Sequence, residues 1–310
     1  YVYFISPSFY YIGFVNEPHS ISIFLFTFGA ALLPATWMPL QMDRPSQIIY
    51  LFMYVAVYIP SILILALASV LPPGQTLKFT VLLLAAVLLT RLAYHMPLLR
   101  LPAILHSKSA SSLAILGMGA ALYAFVFANY GVSLELPSLS EVYGQRAEFR
   151  EQVSGLGAYA FFWLAKAINP FLMAKGYLER DTKMFGLGLM GQLVLFSMSG
   201  LKSILFSCLL LGGVLITLQK QGRYFGNLIV WGLAVLILVT VSVDYYLGIN
   251  VTSSLFVRRL LMVPGLNTGY FFDFFSQNPN AFLGHSFLSA IAEYPYEARP
   301  ALVVGDAYYG

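Results

Sequence analysis

From Ile48 to Leu71 the sequence runs without a single charged residue. That stretch is longer than the roughly 20 apolar residues a helix needs to cross a bilayer core. Seven further segments read the same way: Ile21–Leu40, Leu77–Tyr94, Leu113–Tyr130, Gly155–Ala174, Met184–Ser199, Ser203–Gln219 and Asn227–Val243. A soluble globule has no place for so many apolar runs, because a large share of any globule faces water. Composition agrees: 59% of residues are hydrophobic and 10% are charged, against about 25% charged in a soluble domain. Such apolarity also excludes a disordered chain, and one cysteine excludes a disulfide framework. The expected fold is therefore all-α: a polytopic transmembrane helix bundle of about eight spans, with two large extracytoplasmic loops. No repeat or low-complexity linker divides the chain, so residues 1–310 read as a single integral-membrane domain. The sequence starts at Tyr1 rather than Met and stops at Gly310 in mid-pattern. Both ends are expected to be incomplete, with further helices in the full chain. Tyr1–Phe14 reads as the end of a lost or re-entrant segment, and Tyr1–Val15 lacks the charged start of a signal peptide.

Basic residues orient the spans. The short segments 41–47, 91–111, 175–183 and 220–226 carry nine Lys or Arg in 44 residues, while the opposite side carries seven in 121. The positive-inside rule places the four short segments in the cytoplasm. The long segments 131–154 and 244–310 then face outward. The net charge of +4 is too small and dispersed to suggest nucleic acid.

Several motifs fail on context. Gly186-Leu187-Gly188-Leu189-Met190-Gly191 matches GxGxxG. A dinucleotide fingerprint needs a preceding strand, and small residues inside a span instead allow close helix approach. Gly200-Leu201-Lys202-Ser203 lacks the glycine spacing of a P-loop, and Ser199-Gly200-Leu201-Lys202 reads as a tight hairpin between two spans. His19, His95, His106 and His285 are scattered, so neither a metal nor another cofactor is expected. Asn250-Val251-Thr252 is a sequon that matters only in a eukaryotic host. Cys208, in an apolar span, reads as packing.

The outer segments hold the chemistry-bearing residues. Arg146 and Arg150 share a face if residues 141–152 are helical, with Glu148 and Glu151 nearby. Arg258-Arg259 interrupts an apolar run, which is costly without an anionic partner. The planar guanidinium suits a diphosphate; a second reading has these arginines snorkelling at headgroup level. Lys166 lies inside a span, four residues before Pro170, which cannot donate to its carbonyl. Either a polar cavity or kink faces the bundle interior there, or the lysine snorkels outward. Glu148, Glu151, Asp273 and His285 are candidate general bases. Asp273 sits among the aromatics Tyr270, Phe271, Phe272, Phe274 and Phe275, which suit either a bilayer interface or sugar contact.

Arg146 precedes Gly157 by ten intervening residues, and Arg258 precedes Gly269 by the same spacing. This paired Arg-x10-Gly in two outer segments resembles the Wzy-type O-antigen polymerases. Pro45-Ser46, Lys166 to Pro170, Ser199 to Ser203, Val257 to Pro264 and Tyr270 to Phe275 look like the same family, over roughly residues 40–310. The family usually has more spans than the eight read here. The resemblance implies a glycosyltransferase of the bacterial inner membrane with a periplasmic active face. It would join undecaprenyl-diphosphate-linked oligosaccharide repeats in lipopolysaccharide biosynthesis, with a chain-length regulator as a possible partner. It implies Arg146 and Arg258 as first catalytic residues, with a base among Glu148, Asp273 and His285. Arg150, Arg259, Lys202, Lys166, Tyr270, Gly157 and Gly269 would contact substrate. The alternatives are an O-antigen ligase, whose His-rich motif is matched only weakly by Gly284-His285-Ser286, and a lipid-linked-oligosaccharide transporter.

Overall fold

The computed structural model describes residues 1–39, 45–96, 108–132, 142–153, 155–286, 289, 291 and 293–309. Among these there are helices and turns and no strand. Residues 41–44 and 97–107 of the expected loops 41–47 and 91–111, residues 133–141 and 154 of the expected loop 131–154, and His106 lie outside the described residues; Val142–Gln152 of the last loop is helical.

Among the described residues, six helices are long and apolar enough to cross a membrane: Ser46–Ala68, Pro73–Leu92, Ser111–Tyr130, Gly155–Glu179, Lys202–Lys220 and Phe225–Leu247. The two other expected spans are helical but fall short of that mark. Ile21–Leu32 continues as a 3-10 turn to Trp37. Thr182–Ser199 carries three glycines and Gln192, and half its residues are buried. An interior helix of this kind needs less apolarity because protein rather than lipid surrounds it.

By packing, the chain divides into two compact units, residues 1–98 with 222–310 and residues 99–221. Each unit has an inner apolar rod. Ser46–Ala68 is 56% buried in the first unit and Gly155–Glu179 50% in the second, whereas the other four candidate spans are 17% buried or less. Leu209, Leu210, Trp231 and Leu238 are among the large apolar side chains left exposed on those four. Apolar helices with uncovered faces are disfavoured in water and at home in lipid. The chain thus reads as a helical membrane protein.

Both inner rods contain a π-helical turn, Tyr54–Tyr58 and Leu164–Ile168, and a third spans Ser254–Met262. Each is followed by one residue and then a proline: Pro60, Pro170 and Pro264. A proline ring inside an α-helix clashes with the carbonyl four residues back and offers no N–H to it. Widening the preceding turn relieves the clash. Accordingly the N–H groups of Ile59, Asn169 and Val263 reach five residues back, to the carbonyls of Tyr54, Leu164 and Arg258. The widened turn at Pro170 leaves the Ala165 carbonyl without its helical donor. Gln192, fully buried on the neighbouring helix, supplies one through Nε2 at 2.8 Å.

In the second unit the Asn169–Glu179 and Thr182–Ser199 helices form a tight hairpin. Asp181 starts the second helix by accepting the N–H groups of Lys183 and Met184 at 3.0 and 3.1 Å. A Cβ on Gly188 would stand 2.7 Å from the Asn169 carbonyl oxygen, and one on Gly191 2.4 Å from the Tyr123 hydroxyl. Gly188 and Gly191 of the GxGxxG stretch are therefore helix-packing positions, as their place in an apolar run suggests, whereas a Cβ on Gly186 would meet nothing within 4 Å. The expected hairpin after Ser199 is present: Gly200 caps the helix with a φ of 61°, and a new helix starts at Lys202.

In the first unit Tyr54 and Tyr58 donate their hydroxyls to the Ala31 and Ala30 carbonyls, each at 2.8 Å. Tyr1–Phe14 is a short helix and turn whose Ile5 and Phe14 are buried with Ile64 and Leu266. The segment 244–310, expected as a loop, is largely helical, with Val251–Ser253, Ser254–Met262, Val263–Gln277 and Pro300–Tyr309. Buried Asp244 starts that helical run. Its carboxylate accepts the N–H groups of Thr252 and Ser253 at 3.1 and 2.7 Å, and both of their hydroxyls.

Candidate functional sites

Arg258 sits on the widened turn before Pro264 and is only 8% exposed. Its Nε and Nη2 both donate to Ser254 Oγ, one helical turn back, at 3.0 and 2.9 Å. Phe9 covers one face of the guanidinium, with its ring centre 4.0 Å from Cζ. No carboxylate among the described residues pairs with it. Burial, and then the neighbouring Arg259, pull the Arg258 pKa below its ordinary value, while Tyr11 opposes them. An arginine stays charged through such a shift. The result is a desolvated cation with one face stacked on an aromatic ring and one side held by a hydroxyl. Anion binding would satisfy what remains. Arg259, by contrast, points to an exposed position.

Other candidates in this unit are less free. Asp273 accepts from the Tyr308 hydroxyl at 2.5 Å and from Gln277 Nε2 at 3.0 Å. With two donors engaged it is a poor base. Burial raises the Tyr308 pKa, and the accepting Asp273 carboxylate adds to the rise. Tyr270 stacks on Tyr308 with ring centres 4.6 Å apart, and burial pushes its pKa up to about 12. Its hydroxyl lies against Gly13, where a Cβ would come within 1.9 Å of it. His285 is exposed, 5.8 Å from the Tyr294 ring. Gly269 is a packing glycine: a Cβ there would meet Leu65 Cδ2 at 2.2 Å.

In the second unit the helix Val142–Gln152 carries the other arginine. Arg146 is half-buried, and its Nε is buried without a hydrogen-bond partner. Gln145 beside it donates Nε2 to the Ser197 carbonyl at 2.5 Å. Phe149 anchors the helix by packing on Phe161, with ring centres 4.6 Å apart. Glu148 is exposed and lines a cavity of about 180 Å3 with Tyr130, Gln145, Phe149, Gln152 and Met198. Gly157 permits this arrangement, since a Cβ there would overlap the Tyr130 hydroxyl at 1.8 Å. Glu151 is exposed; the side chain of Arg150 lies outside the described residues.

Lys166 is exposed, not turned into the unit's interior. It lies 5.1 Å from the Phe162 ring and lines a groove of about 400 Å3 beside the helix that begins at Lys202. Its long stem can carry the ammonium along that groove rather than among the packed side chains. Lys202 opens the Lys202–Gln221 helix and is half-buried. Among the described residues no three His, Cys, Asp or Glu side chains come together.

Sequence reasoning alone passed over Ser254, Phe9, Gln145 and Gln152. Ser254 was findable, being one turn before Arg258. Phe9 was not, because a distant segment supplies it. Comparison with known protein families, curated sequences and solved structures yields no match.

Proposed function

We propose that the protein polymerises lipid-linked oligosaccharide repeat units, as the Wzy-type polymerases it resembles do. The observation that carries this reading is the state of the two motif arginines. Each lies in a segment that the positive-inside rule puts on the outer side; Arg258 is buried, Arg146 is half-buried with its Nε inaccessible, and neither has a carboxylate partner among the described residues. A purely structural arginine is normally paired, because an unpaired buried charge is costly. The missing partner is an anion brought by the substrate, and a diphosphate fits the guanidinium fork.

In the reaction proposed, a hydroxyl oxygen of one glycan attacks the anomeric carbon of another. The bond from that carbon to the diphosphate oxygen breaks, and undecaprenyl diphosphate departs with the electron pair. Each motif arginine, Arg258 in the first unit and Arg146 in the second, is proposed within its own unit to bind a phosphate oxygen of the substrate and to stabilise charge there. The hydroxyl proton passes to a carboxylate, and Glu148 suits this role better than Asp273, which already accepts two hydrogen bonds. The proposed setting is a bacterial inner membrane, with the chain crossing about eight times and the segments 131–154 and 244–310 on the periplasmic face.

The test uses the full-length protein in detergent with lipid-diphosphate-linked repeats and no nucleotide sugar. A size ladder of lipid-linked glycans, lost in Arg146→Ala and Arg258→Ala, is the expected result. Transfer only to added lipid A core would make it a ligase. Neither product from folded protein would move the transporter reading ahead.

A further inference from the structure

We propose that a groove in the first unit, between the Ser46–Ala68 and Pro73–Leu92 helices, binds one anionic phospholipid of the cytoplasmic leaflet, with an acyl chain in the groove and the phosphate on Arg91. The argument needs the membrane setting and not the polymerase reading.

Helical spacing makes the groove. Ser46, Met53 and Tyr58 fall along one face of the first helix, and Leu83, Val87 and Thr90 along one face of the second; the space between them is about 320 Å3. From Ser46 to Tyr58 the helix rises about 18 Å, close to the roughly 15 Å that one leaflet contributes to a bilayer core. A helix of that length, about 10 Å across, would fill about 1,400 Å3. The groove therefore suits a single hydrocarbon chain and not a helix of a second copy. Its tyrosines do not make it polar, because each hydroxyl is spent on a backbone carbonyl: Tyr50 on Val87, Tyr54 on Ala31 and Tyr58 on Ala30. They offer an occupant ring carbon instead.

Polar groups gather at one end. There the Tyr50 hydroxyl accepts from Trp37 Nε1 at 3.3 Å and donates to the Val87 carbonyl at 3.2 Å. Ser46 and Arg91 lie one turn beyond that bond, on the two helices. The Arg91 guanidinium stands over the Trp37 ring, with Cζ 5.0 Å from its centre. Arg91 is half-buried, and no carboxylate among the described residues pairs with it. Trp and Tyr collect at the membrane–water boundary, and the positive-inside rule puts this end of both spans in the cytoplasm. The cytoplasmic leaflet is the one rich in anionic lipid. A phosphate at that level gives Arg91 its counter-charge in a charge-assisted hydrogen bond and can accept from the exposed Ser46 hydroxyl. The diphosphate of the polymerase reading belongs to the opposite face, so it does not compete for this cation.

The experiment is native mass spectrometry of the full-length protein released from detergent, with phosphatidylglycerol or phosphatidylcholine of identical chains added. One phosphatidylglycerol per chain is expected to stay bound, about fivefold tighter than phosphatidylcholine, the factor for one arginine near a charged surface. Arg91→Gln should erase that preference while phosphatidylcholine binding holds. Met53→Trp, which fills the groove from an exposed position, should weaken both lipids. Glycerol phosphate, a headgroup without chains, should not compete. Equal retention of the two lipids by wild type, an unchanged preference in Arg91→Gln, unchanged binding in Met53→Trp, or competition by glycerol phosphate overturns the proposal. Tighter retention of undecaprenyl phosphate than of phosphatidylglycerol also overturns it, by making the groove a site for the carrier lipid.

Discussion

Replacing Gly269 by alanine separates two roles for the glycine that closes the Arg-x10-Gly spacing: touching substrate, or letting helices pack. The new Cβ would lie 2.2 Å from Leu65 Cδ2, where ordinary contacts begin near 3.4 Å. Leu65 is fully buried on the inner rod of the first unit and cannot swing away into solvent. One of the two helices must then shift by about an ångström. Overpacking of this kind costs about 1–3 kcal/mol. Alanine regains about 1 kcal/mol of helix propensity, which leaves a net loss of about 0–2 kcal/mol. Leu65→Ala alone should cost about 2–5 kcal/mol by leaving a cavity. In the double variant the alanine methyl enters that space, so the two losses should not add, with a coupling of about 1–3 kcal/mol. Thermal unfolding in detergent, scored for wild type, both single variants and the double, measures the coupling. Polymer assays on the same four samples test function. If Gly269→Ala keeps its stability while losing activity, and adding Leu65→Ala does not restore the activity, the packing argument is wrong and the glycine contacts substrate.

Four further outcomes follow from the geometry. Arg258→Lys keeps the charge but loses the fork that grips Ser254 and a second oxygen; loss of one charge-assisted bond of about 1.5–3 kcal/mol predicts a 10- to 150-fold fall in kcat/KM, and unchanged activity would reduce Arg258 to charge steering. Arg258→Ala should remove polymer formation while lowering the unfolding temperature little, because only a cation–π contact of about 0.5–2 kcal/mol and two bonds within one helix are lost; a collapse in stability would identify a structural arginine. Asp244→Ala strips the acceptor from two N–H and two hydroxyl groups, so it should destabilise by at least about 1–3 kcal/mol, read as a drop in unfolding temperature larger than that of Asp273→Ala. Gly305→Ala meets nothing within 4 Å and should be neutral or stabilising by up to about 1 kcal/mol in the same assay, the opposite of Gly269→Ala.

Hydrophobic pattern alone was sufficient for the helical, membrane-type character of the chain, because a run such as Ile48–Leu71 has no alternative home. It also located the break at Gly200 and the packing role of Gly188 and Gly191, since both are local: a turn needs a residue free to adopt a positive φ, and close helices need small residues. The trouble at Pro170 was legible too, as a proline inside an apolar run, but not its form. Whether a helix kinks or widens depends on what satisfies the freed carbonyl, and Gln192 comes from another helix. The same applies to the candidate sites. Arg146 and Arg258 stand out in sequence as charges in apolar company. That Arg258 is stacked on Phe9 and that Asp273 is already taken by Tyr308 are decided by contacts between distant segments. Burial and partnership set the chemistry of an ionisable group. Both are properties of the packed chain, so only the tertiary structure distinguishes a spare cation from a satisfied one.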